Sequence, residues 1–284
     1  EDLFGLVTNH DTDGVKTTDF APRAWGNMRI FYKIADEEYL QAWDAKHNHR
    51  RHEVTPGMKG GKWVVYSKSG KYVAIELTKG ESSALAKHTE AFYNYLKSNS
   101  ETSLLPRIVG HHAADGNHFF VYVNPLAPGL SVAWNSYDVH ANGQRTAPAI
   151  ARGKLNAHLL DRDFMLDHRT VFGTFRDKKK ALLHIAQDAA FLAKMGFSDF
   201  VLETSVAQFD AEMLPKVKAW ASSAKAKGGM YNGIILSPLE DEICVVQLGH
   251  CFTPGSDGMK YCQALYNFAK KRVLTSPDPS VADI

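Results

Sequence analysis

The densest basic run of the chain is KHNHRRH, from Lys46 to His52. Its cations Lys46, Arg50 and Arg51 could bind acidic phosphoinositide headgroups or an acidic protein, because clustered Lys and Arg side chains attract phosphate and carboxylate groups. The histidines of the run could hold a metal ion only with further ligands, and the neighbouring sequence offers none. A solvated loop is the simpler interpretation. We therefore expect a loop here, keep anion binding as the alternative, and expect no metal site.

The sequence lacks the local signatures of nucleophilic catalysis. It contains no G-x-S-x-G motif, and its three cysteines, Cys244, Cys251 and Cys262, have no C-x-x-C spacing. An odd number of cysteines without that spacing argues against both a disulfide framework and a zinc knuckle. We expect Cys244 and Cys251, which lie in apolar surroundings, to be packing residues.

The composition is that of an ordinary folded protein. The 284 residues can bury a substantial core, and a formal net charge of +2 gives no signal for nucleic-acid binding. No apolar run approaches the roughly 18 residues of a membrane span, and no signal peptide precedes the first polar residues. We therefore expect no transmembrane segment and an intracellular, cytoplasmic location. Because the first residue is Glu1 rather than Met, we also expect a trimmed start or a domain of a longer protein.

The predicted elements alternate between hairpins and helices. Apolar periodicity predicts helices between residues 21 and 43, 82 and 97, 177 and 195, 210 and 227, and 258 and 273. Runs rich in β-forming residues predict hairpins that turn at Ser69-Gly70, at Asp115-Gly116 and between residues 238 and 242, and strands over 131–139 and 200–209. The connector PLAPGL predicts a boundary between an N-lobe, residues 1–127, and a C-lobe, residues 128–284. The expected fold class is mixed α/β or α+β, with antiparallel sheets and flanking helices.

Several motifs follow one another in a fixed order. GGKWVVYSKSGKYVAIEL is followed by AFYNYLKSNS and LLPRIVG, and further along come YDVHANG, LLDRDFM, MGFSDFVLETSV and ICVVQLGHCF. In this order the chain resembles the phosphatidylinositol phosphate kinases, whose motifs are a glycine hairpin, a lysine-bearing strand, Y-D-L-K-G-S, M-D-Y-S-L-L and I-I-D-I-L. The resemblance implies a two-lobed lipid-kinase-like fold.

Three positions at which the resemblance implies catalytic charge hold other residues. Alignment without a gap places Ile75 at the ATP-anchoring lysine, and Glu76, which follows, would repel a phosphate. The second phosphate-binding lysine corresponds to His140, a weaker cation than lysine near neutral pH. The magnesium-binding aspartate corresponds to Gln247, whose neutral amide is a weak ligand for a hard dication. The resemblance therefore implies a divergent and catalytically degenerate member of the family.

Other positions keep the residue type that the resemblance implies. Asp199 matches the aspartate of M-D-Y-S-L-L and could orient a hydroxyl group, although a turn or cap residue is an equally good interpretation. Asp138 matches the aspartate before the lost lysine. Gly60 and Gly61 keep part of the glycine hairpin as a remnant of a nucleotide pocket, with an ordinary turn as the alternative. The indole of Trp63 could fill that pocket.

Three functions follow as hypotheses. The first is a pseudokinase that needs no cofactor and acts as a protein-interaction or scaffold module in a larger assembly. The second is an active kinase that uses Mg-ATP with relocated groups, namely Lys79, Arg145 or Lys154 for phosphate and Asp199 with Asp161 or Asp163 for the remaining roles. The third is a non-catalytic phosphoinositide-binding module that works through the basic run and the lysine-bearing helices. A location at the periphery of a membrane or of the cytoskeleton is the alternative to a purely cytoplasmic one.

Overall fold

The structure is a computed structural model that describes residues 2–12, 15–43, 50–53, 63–125, 133–139, 158–160, 162–163, 175–208, 212, 215–216, 219, 234–236, 242–249 and 252–273. The chain divides into two compact units. Unit 1 comprises Glu1–Val54, Lys59–Asn99 and Pro106–Gly129, and unit 2 comprises Thr55–Met58, Ser100–Leu105 and Leu130–Ile284. The lobe boundary predicted at residues 127 and 128 lies outside the described residues and stays a prediction. None of the helices described is long and apolar enough to cross a membrane.

Unit 1 contains an antiparallel sheet of seven strands. The strands are β1 (Val7–Thr12), β2 (Val15–Phe20), β3 (Arg50–Glu53), β4 (Trp63–Tyr66), β5 (Tyr72–Leu77), β6 (Ile108–Ala114) and β7 (Asn117–Val123). Their order across the sheet is β1-β2-β6-β7-β5-β4-β3. The hairpin of β1 and β2 was not predicted. The predicted loop over the basic run is wrong for Arg50 to His52, whose backbone pairs with β4 in strand β3.

Both hairpin turns predicted in unit 1 are confirmed. Gly70, between β4 and β5, has a φ of 70°. Asp115 and Gly116, between β6 and β7, have φ values of 47° and 81°. Two consecutive residues in the left-handed region form the tight turn that matches the twist of two antiparallel strands, and Asp-Gly adopts it at low cost.

Four helices flank this sheet. They are α1 (Pro22–Phe31), α2 (Asp36–Ala42), α3 (Lys79–Lys87) and α4 (Thr89–Ser98). Tyr39 of α2 packs in a buried cluster with Tyr72, Ala74, Val109 and Val121 from the sheet. The prediction of one helix from residue 82 to residue 97 is wrong in detail, because the helix is interrupted at His88 and begins at Lys79.

The early start of α3 has a local cause. Thr78 accepts a hydrogen bond from the Glu81 backbone N–H at 3.2 Å, and the Glu81 carboxylate accepts one from the Thr78 N–H at 2.8 Å. This reciprocal pair, a capping box, satisfies two of the backbone donors that a helix leaves free at its N-terminus. The capping box therefore fixes the end of β5 and the first turn of α3 together.

Unit 2 contains a five-stranded sheet. Its strands are β8 (Ala133–Val139), β9 (His158–Leu160), β10 (Val201–Gln208), β11 (Ile234–Leu236) and β12 (Glu242–Gly249), in the order β11-β12-β10-β8-β9. All pairs are antiparallel except β8 with β9. With the sheet of unit 1, this confirms the predicted mixed class with antiparallel sheets and flanking helices.

Two helices of unit 2 pack against each other, α5 (Phe175–Lys194) and α6 (Gly258–Phe268), and a π-helical turn (Ala269–Val273) follows α6. The predicted inward face of α5 is confirmed, because Leu182, Ile185, Ala189 and Leu192 are all buried. The predicted N-cap Asp177 instead lies inside α5, which begins at Phe175. The helix predicted over residues 210–227 falls largely outside the described residues.

The capping box gives the first testable prediction. Replacing Thr78 by Ala removes the side-chain acceptor for the Glu81 N–H, and we expect the free energy of unfolding to fall by about 1 kcal/mol. Thr78→Ser keeps a hydroxyl and should lose much less. Urea unfolding of the three proteins measures the difference. Equal losses for the Ala and Ser variants would show that the hydroxyl does not cap α3.

Candidate functional site

In unit 1, Ile75 stands in an apolar row that crosses the sheet. Its backbone pairs with Val64 of β4 on one side and with Phe120 of β7 on the other, and Phe120 pairs in turn with His111 of β6. Residues directly opposite one another in a sheet point to the same face. Ile75 therefore lies on a face shared with buried Phe120 and buried His111, and its side chain is half-buried.

His111 brings no positive charge to this row. Its ring stacks on Phe20 with 4.3 Å between ring centroids, and its Nε2 lies 2.8 Å from the Ser82 hydroxyl. Burial lowers the pKa of His111 to about 3, with smaller contributions from His112 and His118. The imidazole is therefore neutral at physiological pH. It cannot replace a lysine that would otherwise contact phosphate.

Glu76 points to the opposite face of the sheet, where it has a structural role. One of its carboxylate oxygens accepts a hydrogen bond from the Trp63 backbone N–H at 3.0 Å. This bond connects β5 to the first residue of β4. Glu76 is thus engaged by the sheet, and a lysine at this position could not accept the same hydrogen bond.

In unit 2, three polar residues form a continuous row across three strands. Glu203 of β10 pairs with Asp138 of β8 on one side and with Gln247 of β12 on the other. Opposite residues have Cβ atoms about 5 Å apart, so the three side chains project from one face as neighbours. Asp138 and Gln247 are buried, and Glu203 is half-buried.

The position of the Glu203 carboxylate depends on the glycine at the end of β12. A Cβ atom at Gly249 would lie 3.1 Å from Glu203 Oε2, closer than side-chain contacts normally are. The missing side chain at Gly249 leaves the space into which the carboxylate extends. Glu203 was not identified from the sequence, because the strand pairing that makes it a neighbour of Asp138 and Gln247 joins residues far apart in the chain.

The donor atoms of this row can be compared with the ligands that a magnesium ion requires. Mg²⁺ is held by charged oxygen ligands in near-octahedral geometry. The row offers two carboxylates and one neutral amide, and the described residues contain no group of three or more His, Cys, Asp or Glu that could hold a metal ion. The donor set therefore does not fit the metal site that the resemblance implies.

The other acidic candidates described have structural surroundings. Asp199 is exposed, lies two residues before the start of β10 and has a φ of 60°, a left-handed conformation that aspartate tolerates in turns. Asp163 is buried, and its carboxylate accepts a hydrogen bond from the Leu160 N–H at 3.1 Å. Lys79, a candidate phosphate ligand, is exposed in the first turn of α3 and not on β5.

The other predicted site residues lie partly or wholly outside the described residues. Arg50 and Arg51 lie in β3, although their side chains are outside the description. The remaining candidates lie outside the described residues, namely Lys46, Gly60, Gly61, His140, Arg145, Lys154 and Asp161. The anion-binding, nucleotide-pocket and second-lysine assignments stay predictions.

Comparison with known families now adds to this geometry. The model of one protein family, described as phosphatidylinositol-4-phosphate 5-kinase, matches residues 46–228, well over half of the chain. The matched segment includes Ile75, Asp138 and Asp199 and ends before Gln247. No curated protein matches the sequence.

The burial of His111 predicts a pH dependence of stability. Its folded-state pKa is about 3 and its unfolded value is 6.5, so the unfolded chain takes up the proton first as the pH falls. The folded state is therefore not penalised by His111 above pH 6.5, and it loses stability relative to the unfolded chain progressively as the pH falls below that value. We expect His111→Gln, which stays neutral, to reduce the slope of unfolding free energy against pH between these values, by up to ~1.4 kcal/mol per pH unit.

Denaturant unfolding over this pH range measures the slope, with His10→Gln as the control. The His10 side chain is half-exposed, so the control makes the same exchange outside the buried row of His111. A slope that is the same for His111→Gln and the unmodified chain would contradict a neutral buried ring at position 111.

The row in unit 2 predicts the effect of restoring an aspartate. Gln247→Asp would place three carboxylates side by side across β8, β10 and β12, and directly opposed like charges destabilise a sheet. Without divalent cations we expect the variant to lose about 1 kcal/mol or more of unfolding free energy. Millimolar Mg²⁺ should recover part of this loss and leave the unmodified chain unchanged.

Urea unfolding with Mg²⁺ or with a chelator tests this prediction. Gln247→Asn is the matched control, because it shortens the side chain as aspartate does without adding charge. If Mg²⁺ stabilised the unmodified chain as much as the Asp variant, the residues now present would already hold the ion, and the poor fit inferred above would be wrong.

Proposed function

We propose that this chain, which belongs to the phosphatidylinositol-4-phosphate 5-kinase family, is a pseudokinase that acts as a protein-interaction or scaffold module. The single observation that best supports this role is the row of Asp138, Glu203 and Gln247. Phosphoryl transfer needs metal ions that neutralise charge developing on the phosphates. A neutral amide at the position of the implied magnesium ligand supports the loss of that function.

The surroundings of Ile75, the position of the implied ATP-anchoring lysine, also support the loss of catalysis. The adjacent residues in its row are apolar, and the buried imidazole of His111 is uncharged. Glu76 is engaged by the Trp63 N–H on the opposite face. Removing one electrostatic contact of this kind typically costs about 10²- to 10³-fold in rate, so the combined losses support a role without catalysis.

An active kinase with relocated groups is the alternative, and one observation favours it. Asp138 and Glu203 are two carboxylates on neighbouring strands, which is the minimum for binding a cation through a pair of charged oxygens. This alternative also needs a cation for the phosphates. Lys79 is the candidate among the described residues, and it is exposed in the first turn of α3 and does not lie on β5.

Thermal unfolding with and without millimolar Mg-ATP tests the proposal. A site filled a hundredfold above its dissociation constant would add about 2.7 kcal/mol of stability and raise the midpoint by several degrees. For a pseudokinase that has lost its nucleotide site we expect no shift, and no transfer of phosphate to phosphoinositide vesicles. A clear shift together with transfer would support the active alternative and remove the proposal.

Two variants sharpen this test. Asp199→Asn should abolish any transfer that depends on the residue matching the family aspartate, and transfer that survives the change would remove that assignment. The triple variant Ile75→Lys, His140→Lys, Gln247→Asp restores the implied charges and should recover a Mg-ATP-dependent shift. If it does not, the pocket has lost its shape as well as its charge.

A further inference from the structure

Unit 2 has an apolar groove between α5 and α6. The groove encloses about 760 Å³ and is lined on α5 by Leu183 and Ala186 and on α6 by Cys262 and Tyr266. Leu183 is 54% exposed, so its apolar side chain is accessible to a ligand. Cys262 is almost fully buried and forms part of the groove floor. The lining therefore offers apolar surface in a concave arrangement.

Positive charge lies at one end of this groove. Lys179 and Lys180 line it at the N-terminal end of α5, and both are exposed. Over residues 175–194 and 258–273 the sequence contains nine Lys and Arg residues against two Asp residues. One of these two, Asp188, is buried and accepts a hydrogen bond from the Leu104 N–H. Among the described residues, the charged side chains that line this end of the groove are therefore both cations.

We propose that the groove binds an acidic amphipathic helix of a partner protein. From Lys179 to Ala186 the groove follows α5 for eight residues, a rise of about 10 Å, which is close to two helical turns. Two turns of a partner helix present apolar side chains at positions i, i+3, i+4 and i+7, which is the usual pattern when a helix docks in a groove. Acidic residues beside that apolar stripe would pair with Lys179 and Lys180.

The shape of the groove favours a helix over a bilayer surface. A lipid surface is contacted by side chains that project outwards, whereas Cys262 lies at the floor of a concavity. A convex ridge of side chains on a helix can reach that floor and pack between the two helices that form the walls. The combination of concave apolar walls with cations at one end thus fits a peptide that is apolar on one face and acidic beside it.

A synthetic peptide tests the proposal with the full chain. The probe is a fluorescein-labelled helix of about 18 residues, with Leu at i, i+3, i+4 and i+7 positions and Glu on the flanking positions. Fluorescence anisotropy should show saturable binding with a dissociation constant of about 100 μM or tighter. A peptide of the same composition, scrambled so that no apolar stripe forms, should bind at least about tenfold more weakly. Bound peptide should also slow the alkylation of Cys262.

Matched variants locate the site. Leu183→Glu places a carboxylate in the groove, and the double variant Lys179→Glu, Lys180→Glu reverses the charge at its end. Each should weaken binding by at least about tenfold. The controls Met259→Glu and Lys260→Glu each make one comparable exchange, apolar to acidic or basic to acidic, on exposed residues of α6 outside the groove lining. They should change the affinity by less than about twofold.

Three outcomes would overturn the proposal. Absence of saturable binding would remove it, and so would equal binding of the scrambled peptide, which would indicate charge attraction alone. Equal losses from Met259→Glu and Leu183→Glu would place the contact elsewhere. Vesicles of phosphatidylcholine and phosphatidylserine are tested in parallel. If they bind in a way that Leu183→Glu abolishes while the peptide does not bind, the occupant is a membrane and not a helix.

The inference rests on the proposed interaction role, and the two ideas fail in different experiments. A Mg-ATP shift with phosphate transfer would remove the pseudokinase proposal without affecting the peptide measurement. If the unmodified chain did not bind the peptide, the groove would be ruled out as a docking site, whereas the result of the Mg-ATP unfolding experiment would not change.

Discussion

The alternation of side chains along a β-strand is the constraint on which this structure depends. Because consecutive residues of β5 point to opposite faces, Ile75 joins the row of Phe120 and His111, whereas Glu76 reaches the backbone of Trp63. Both positions are therefore committed to the sheet. A lysine at either one would have to leave an apolar row or break a hydrogen bond to the backbone.

The same constraint decides the chemistry of unit 2. Glu203 of β10 lies at the centre of a row that crosses β8, β10 and β12. A substitution at Asp138 or Gln247 therefore changes the side chain next to the Glu203 carboxylate. An amide at Gln247 limits the like-charge repulsion in the row to one pair. An aspartate there would create a second pair and would need a bound cation to offset it. The neutral amide of Gln247 therefore adds no repulsion that a bound metal ion would have to offset.

Local sequence signals were enough to predict part of the fold. Much of what was not predicted depends on the pairing of strands that are far apart in the sequence. The turn at Asp115-Gly116 was predictable because residue type alone sets its conformation. The start of α3 was missed although Thr78 and Glu81 have the capping-box spacing in the sequence. Arg50 was expected in a loop because its run has no apolar alternation, yet its backbone pairs with Tyr66. Glu203 could not be found by any local pattern, since only the strand register makes it part of the row.

The contrast between the interior and the helix surface of unit 2 gives one physical reason for both proposals, the loss of catalysis at the sheet and the binding of a partner at the groove. A buried polar row tolerates few substitutions, because an added charge must be paired or hydrogen-bonded at once. Exposed lysines such as Lys179 and Lys180 cost little in stability, since water solvates them when no ligand is present. Charge can therefore accumulate at the end of a groove without disturbing the packing of the sheet. The proposed loss of the metal site in the sheet is therefore compatible with the proposed binding of a partner at the groove.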